Sequence, residues 1–281
     1  MKQLLVQADD MGITKGVSLG ILESIENGIV RNTGLFTNQP AAEFAADRLK
    51  QLDGVDVGID VNFVSGQPLL SATEVPDLVE PDGSFRSSHA IKARYDLVRA
   101  ERVLLEFSEE PYDYEQTLAE ARAQVRRFFE LMERPPAYLH HHSLVTPMTN
   151  RVLDEVAKEN DLVRTRELLL GPAPSRLAVS WYEDEIGLEW QANADIEGGV
   201  ADLLPSIFDR DLSVIVIHPG YVDGEILDLS SYSVVRARDL QVATSRKVQE
   251  ALEAEGVELV RYSTATIGGR PLEEVLREST R

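Results

Sequence analysis

Two adjacent carboxylates, Asp9 and Asp10, stand where a short apolar strand, Leu4-Leu5-Val6, runs out in Gln7-Ala8-Asp9-Asp10-Met11-Gly12. Like charges at a strand's carboxyl end are costly unless a cation or a shared proton stands between them, and in α/β folds that end is where ligands gather. The same pair also suits a turn or helix cap, with Thr14 able to cap the segment that follows. Three consecutive histidines, His140, His141 and His142, come after Ala137-Tyr138-Leu139. Strand side chains alternate, so His140 and His142 point one way and His141 the other, and two imidazoles so spaced can share a metal or a substrate. His218 ends the most apolar run, Ser213-Val214-Ile215-Val216-Ile217, ahead of Pro219-Gly220, and Asp60 ends another run with Asn62 beyond it. Asp10, Asp60 and His140 form an O/O/N set that a hard or borderline divalent ion, Mg²⁺ or Zn²⁺, accepts.

Alternating elements must carry these groups to one rim. Strands are predicted at 3–8, 30–37, 55–61, 137–141, 162–164, 213–217 and 257–262. Between and after them, amphipathic helices are predicted near 16–27, 41–52, 115–133, from 147, 195–208, 235–255 and at the end of the chain. This βα alternation predicts an α/β fold, a single TIM-like barrel of about seven parallel strands in one domain spanning residues 1–281. Residues 65–114 break the pattern with Pro, Gly, Ser and acidic side chains around a helix at 89–105, the length of an insertion or lid. No clear element emerges at 170–190.

Composition narrows the chemistry. The 281 residues carry 28 Lys plus Arg against 48 Asp plus Glu, a formal charge of −20 that disfavours nucleic acid and anionic membrane surfaces as partners. The absence of cysteine rules out disulfides, a thiolate nucleophile and Cys-type zinc sites, so a metal must be held by His and carboxylate. The first residues lack a long apolar stretch with a cleavage site, and no run approaches the ~20 apolar residues of a membrane span, which reads as a cytoplasmic protein. A neutral or weakly cationic small molecule is the substrate class left, and a homodimer is left open.

In order and spacing, several motifs together resemble the YdjC-like (ChbG-type) carbohydrate deacetylases, a branch of the polysaccharide deacetylase superfamily. They are Ala8-Asp9-Asp10-Met11-Gly12, Gly28-Ile29-Val30, Gly58-Ile59-Asp60 with Gly66-Gln67-Pro68, the His140 cluster with Pro147, and His218-Pro219-Gly220-Tyr221-Val222-Asp223. Arg236 to Leu240, with Asp239, looks like the family's helix start after that last loop. The resemblance implies a seven-stranded barrel and Asp10, Asp60 and His140 as metal ligands, with His142 as the alternate. It implies Asp9 as general base, His218 as general acid and Arg164 as the arginine that steadies the base, with Asn62, His142 and Tyr221 meeting a small carbohydrate substrate. Two positions depart from the pattern. Asp60 stands where the family usually has a histidine, which favours harder ions, and Tyr138-Leu139 replaces the usual Asp and small residue, removing a carboxylate that could orient His140. The implied reaction is hydrolysis of an N-acetyl group from an amino sugar or chitooligosaccharide-like substrate. The rival reading is a carbohydrate-binding or regulatory protein on a barrel whose metal site Asp60 has weakened.

Overall fold

A computed structural model describes residues 2–101, 104–165, 168, 187–209 and 211–279. The elements in chain order are β1 (Lys2–Met11), α1 (Lys15–Glu26), β2 (Asn32–Leu35), α2 (Ala42–Leu49), β3 (Asp56–Val61), α3 (Ser88–Arg94), β4 (Leu97–Glu101), β5 (Leu104–Phe107), α4 (Tyr114–Met132), β6 (Leu139–His141) and α5 (Pro147–Glu159). They continue with α6 (Leu188–Asn193), α7 (Ile196–Phe208), β7 (Leu212–Ile217), α8 (Gly224–Leu229), α9 (Val235–Ala243), α10 (Arg246–Ala254), β8 (Val257–Val260), β9 (Thr266–Ile267), β10 (Arg270–Pro271) and α11 (Leu272–Ser279). Thr14 caps α1 by accepting from the Val17 N–H, so the cap that Asp9 or Asp10 could have formed is made by a different residue and both carboxylates stay in β1.

The main sheet is parallel, in the order β6-β3-β2-β1-β7, with β8 joining β1 along its first residues. Asn32 fills the fork where β2 and β8 diverge, its side-chain amide donating to the carbonyls of Val6 and Val260 and its oxygen accepting from the Tyr262 N–H. Beyond β6, a parallel bridge between Leu139 and Arg164 continues the sheet at the place predicted for a strand. The described residues show an α/β fold with a parallel sheet of six strands, and closure into a barrel is not shown by them. Most of the stretch 170–190 lies outside the described residues, with α6 at its end.

Both faces of the sheet are buried, as a parallel sheet flanked by helices requires. Leu4, Val6, Val57, Ile59, Leu139, Ile215 and Ile217 pack toward the helices, and Leu5, Tyr138, Val214, Val216, Val260 and Tyr262 form a second cluster on the opposite face with Leu272 and Leu276 of α11. Along that second face the strands change from apolar to polar as they approach their carboxyl ends. Leu5 gives way to Gln7 and Asp9, Val216 to His218, and Tyr138 to His140. Strand alternation thereby sends His140 and His142 to this face and His141 to the other, where its ring lies 5.8 Å from that of Phe63.

Two predicted helices are shorter than expected. The 235–255 stretch is two helices, because Ser245 leaves helical geometry and caps α10 through the Val248 N–H. The 89–105 helix ends at Arg94. Tyr95 is extended, and the chain enters the antiparallel β4–β5 hairpin, in which Arg99 pairs with Glu106 across the strands. That hairpin docks beside the histidine loop through the Leu105 N–H and the Val145 carbonyl, 2.8 Å apart.

Candidate active site

Consecutive strand residues point to opposite faces, so Asp9 and Asp10 could not share one rim on a regular strand. The structure resolves this with an irregularity. The pairing of β1 with β2 shifts register between Ala8 and Met11, and Asp10 takes a left-handed backbone at φ 72°. This turn carries the Asp10 backbone N–H onto Asp60 Oδ2 at 3.1 Å and its side chain onto Arg236, whose Nη2 donates to Asp10 Oδ2 at 2.5 Å. His142 Nδ1 lies 3.0 Å from the other Asp10 oxygen, and its ring meets Phe36 edge to face.

Asp9 keeps the ordinary strand direction. Gln7 Nε2 donates to its Oδ1 at 2.6 Å, and His140 Nε2 lies 3.3 Å from its Oδ2. The far nitrogen of that imidazole, Nδ1, pairs with the Thr165 hydroxyl at 2.7 Å. Asp60 comes from β3, where glycine makes room for it, since a Cβ on Gly34 of β2 would overlap the Asp60 carboxylate. Its Oδ1 is buried without a hydrogen-bond partner.

Electrostatics separate the three carboxylates. Burial pushes Asp10 upward, but Arg236 and then His142 outweigh it and hold the group well below the usual carboxylate range. Burial likewise opposes ionisation of Asp9, and His140 and His218 reverse the balance to a net lowering. Nothing reverses it at Asp60, where burial and the neighbouring Asp9 and Asp10 push the carboxyl well above its ordinary value. One ligand atom each from Asp9, Asp60 and His140 lie within 4.8 Å of one another. An orphaned buried oxygen, a carboxyl whose ionisation is opposed by burial and two neighbouring carboxylates, and an O/O/N donor set all fit a divalent ion.

Several residues expected to act together from the sequence are placed apart. Asp9 belongs to the converging donors and Asp10 does not, because the bulge aims Asp10 at Arg236. Arg164 does not reach the acidic pair. Its guanidinium donates to the Asn150 carbonyl and Oδ1 and pairs with Asp154 on α5, and the arginine beside the carboxylates is Arg236, itself fully buried. His218 is on the expected rim, its ring edge to face with Tyr232 and its backbone N–H on Asp239. Burial is the main cause lowering its pKa to about 4.

Asn62 is a turn former. Its oxygen accepts from the N–H groups of Val64 and Ser65, and its amide donates to the Ser65 carbonyl, with Gln124 of α4 bracketing its backbone on both sides. Tyr221 is half exposed on the outer side of α1 with its hydroxyl on Glu23, away from the carboxylates, because the loop after β7 packs closely on Gly16 and Gly20. Sequence reasoning missed Gln7 and Thr165. It also left Gly34 unused, although glycine inside a strand signals a close approach.

Comparison with known proteins places this arrangement. Residues 3–254 match the model of the YdjC-like protein family. The chain belongs to that family. Carbohydrate deacetylase 2 of Listeria innocua is 28% identical over 92% of this chain and 97% of its own length, and a carbohydrate deacetylase of Geobacillus stearothermophilus is 31% identical over 92% and 96%. The YdjC-like fold is shared with the crystal structure of a putative cellobiose-phosphate cleavage protein from Enterococcus faecalis, with a TM-score of 0.73 at 21% identity over 95% of this chain and 99% of that one.

Proposed function

We propose that this chain hydrolyses the amide of a small N-acetylated amino sugar or chitooligosaccharide-like substrate, releasing acetate and the free amine. The observation that carries the reading is the convergence of Asp9, Asp60 and His140 beside Asp10, a carboxylate that Arg236 keeps ionised. A divalent ion held by those three residues would act as a Lewis acid on the amide carbonyl and acidify a water, a contribution worth several kcal/mol.

The chain's own residues supply the proton movements. His142 accepts the proton of the attacking water at Nε2, while Asp10 faces its Nδ1 and offsets the charge the ring gains. Arg236 holds Asp10 in that orientation. The proton then passes from His142 to the amide nitrogen, which cannot leave as an anion. His218, uncharged at neutral pH, serves as a fixed hydrogen-bond donor at the same rim rather than as the proton source.

We read the sheet as closing into a seven-stranded barrel, in one cytoplasmic domain with the 65–114 insertion bordering the mouth. Among the described residues no helix is long and apolar enough to cross a membrane. The substrate reading is tested by incubating the full chain with N-acetylated chitobiose and Mg²⁺, Mn²⁺ or Zn²⁺ and measuring acetate. Release with at least one ion, abolished by chelator, is the expected result. A correctly folded protein that frees no acetate from a broad panel of N-acetyl sugars contradicts the reading.

A further inference from the structure

Beneath the candidate metal donors, the polar part of the sheet's second face holds a chain of neutral groups. The Tyr262 hydroxyl donates to Gln7 Oε1 at 2.7 Å, and Gln7 Nε2 donates to Asp9 Oδ1 at 2.6 Å. All three side chains are buried. The Tyr262 ring is braced by Tyr138, with centroids 4.3 Å apart, and Tyr138 in turn fills space that only glycine at position 58 leaves open.

This chain has a direction. A glutamine amide can be turned either way, and the wrong way would set its oxygen against the Asp9 carboxylate. The Asp9 carboxylate only accepts, so Nε2 is the end that meets it, and the Tyr262 hydroxyl donates to the Oε1 that remains. Once Oδ1 is engaged there, Oδ2 is the oxygen turned toward His140. The carboxylate is thus prepared as a ligand offering one atom. Small ions with strict octahedral demands, such as Mg²⁺ and Mn²⁺, take carboxylates that way, whereas Ca²⁺ readily accepts both oxygens.

We propose that Tyr262 and Gln7 are positioning residues that leave Asp9 a single oxygen for the ion and thereby set both the affinity and the ion preference of the site. The proposal rests on the metal reading above. It places the control of the centre on two uncharged side chains outside the donor set, a role that partners of metal ligands commonly fill.

The test uses the full chain stripped with chelator and titrated calorimetrically with Mn²⁺, Mg²⁺ and Ca²⁺. Gln7→Met keeps the shape of the side chain and removes its hydrogen bonds, and Tyr262→Phe removes only the hydroxyl. Gln7→Met is expected to weaken Mn²⁺ binding by about 10- to 100-fold, with Tyr262→Phe shifting it in the same direction by less. Ca²⁺ binding should weaken less than Mn²⁺ binding in both, narrowing the preference between the two ions. A role in packing alone would lower the melting temperature and leave the affinity of the folded protein where it was. Unchanged Mn²⁺ affinity in both variants, with wild-type circular dichroism, overturns the proposal. A wild-type protein that takes up no ion overturns the metal reading and this proposal with it. A wild-type protein that binds the ion but releases no acetate counts against the deacetylase reading alone, because the positioning claim is judged on the binding constants.

Discussion

Replacing Asp60 with asparagine is expected to inactivate the protein while making it more stable. A carboxyl whose pKa is raised in the folded state loses stability for the protein as pH climbs from its unfolded value to its folded one. Burial, reinforced by Asp9 and Asp10, raises Asp60 in this sense, so at pH 7 without a cation the group opposes folding. Asparagine of the same shape can still accept from the Asp10 N–H and can donate toward the neighbouring carboxylates, with no charge to bury. The melting temperature at pH 7 should rise by about 2–4 °C for each kcal/mol recovered, and the gain should fade as pH falls toward the ordinary carboxylate range. Activity should move the other way. Loss of one anionic ligand from the O/O/N set should lower kcat/KM by roughly a thousandfold or more, on the scale of a Lewis-acid contribution of several kcal/mol. Thermal melts between pH 4 and pH 8, with and without Mn²⁺, check both halves. An Asp60→Asn protein that is less stable at pH 7, or that still melts higher when Mn²⁺ is added, contradicts the assignment.

Arg236→Met should do the reverse and damage the fold itself. Arg236 is fully buried and donates from Nη2 to Asp10, from Nε to the Tyr232 carbonyl at 2.5 Å and, at a longer 3.4 Å, from Nη2 to the Ser230 hydroxyl. Without it Asp10 remains buried beside Asp9 and Asp60 with only the His142 imidazole facing it. Breaking a buried ion pair from one side costs about 3–5 kcal/mol. Lysine should not rescue, since an ammonium cannot reproduce the planar fork that serves both partners. Adding Asp10→Asn to Arg236→Met should recover a large part of the loss, because the stranded charge is then gone. Urea unfolding of the four proteins in this cycle measures the coupling. Additive losses in the double variant would show that Arg236 acts through packing and not through Asp10.

The parts of this site that follow from periodicity could be read in the sequence. His140 and His142 on one face with His141 on the other is a consequence of strand alternation, and the arrival of Asp60 and His218 at the same rim follows from parallel strands. The division of labour between Asp9 and Asp10 does not follow from periodicity. It depends on one left-handed residue inside β1, and the motif Asp9-Asp10-Met11-Gly12 does not announce that Asp10 rather than Gly12 leaves the strand geometry first. Arg164 and Arg236 illustrate the same boundary. Both were visible as arginines near motif positions, but only tertiary packing decides that one is taken up by α5 and the other by Asp10.

Propensity also had a local limit in the insertion. The stretch 97–107 contains good helix formers, yet residues 97–101 pair with 104–107 as antiparallel strands because β5 has an edge to meet at Val145 and the helix has already stopped at Tyr95. Thr165 shows how a loss read from sequence can be made good elsewhere. The carboxylate expected to orient His140 is absent at position 138, and a hydroxyl from the segment after Arg164 takes the Nδ1 side of the ring.

The most direct test of the metal-dependent account is a Mn²⁺ titration of chelator-stripped protein, with bound ion counted by loss of the free-ion paramagnetic resonance signal and acetate release followed in the same samples. Acetate release from N-acetylated chitobiose should rise in proportion to bound ion and level off near about one ion per chain, and Asp60→Asn should flatten both curves. Turnover by the stripped protein at the full rate, or undiminished ion uptake by Asp60→Asn, would contradict the account.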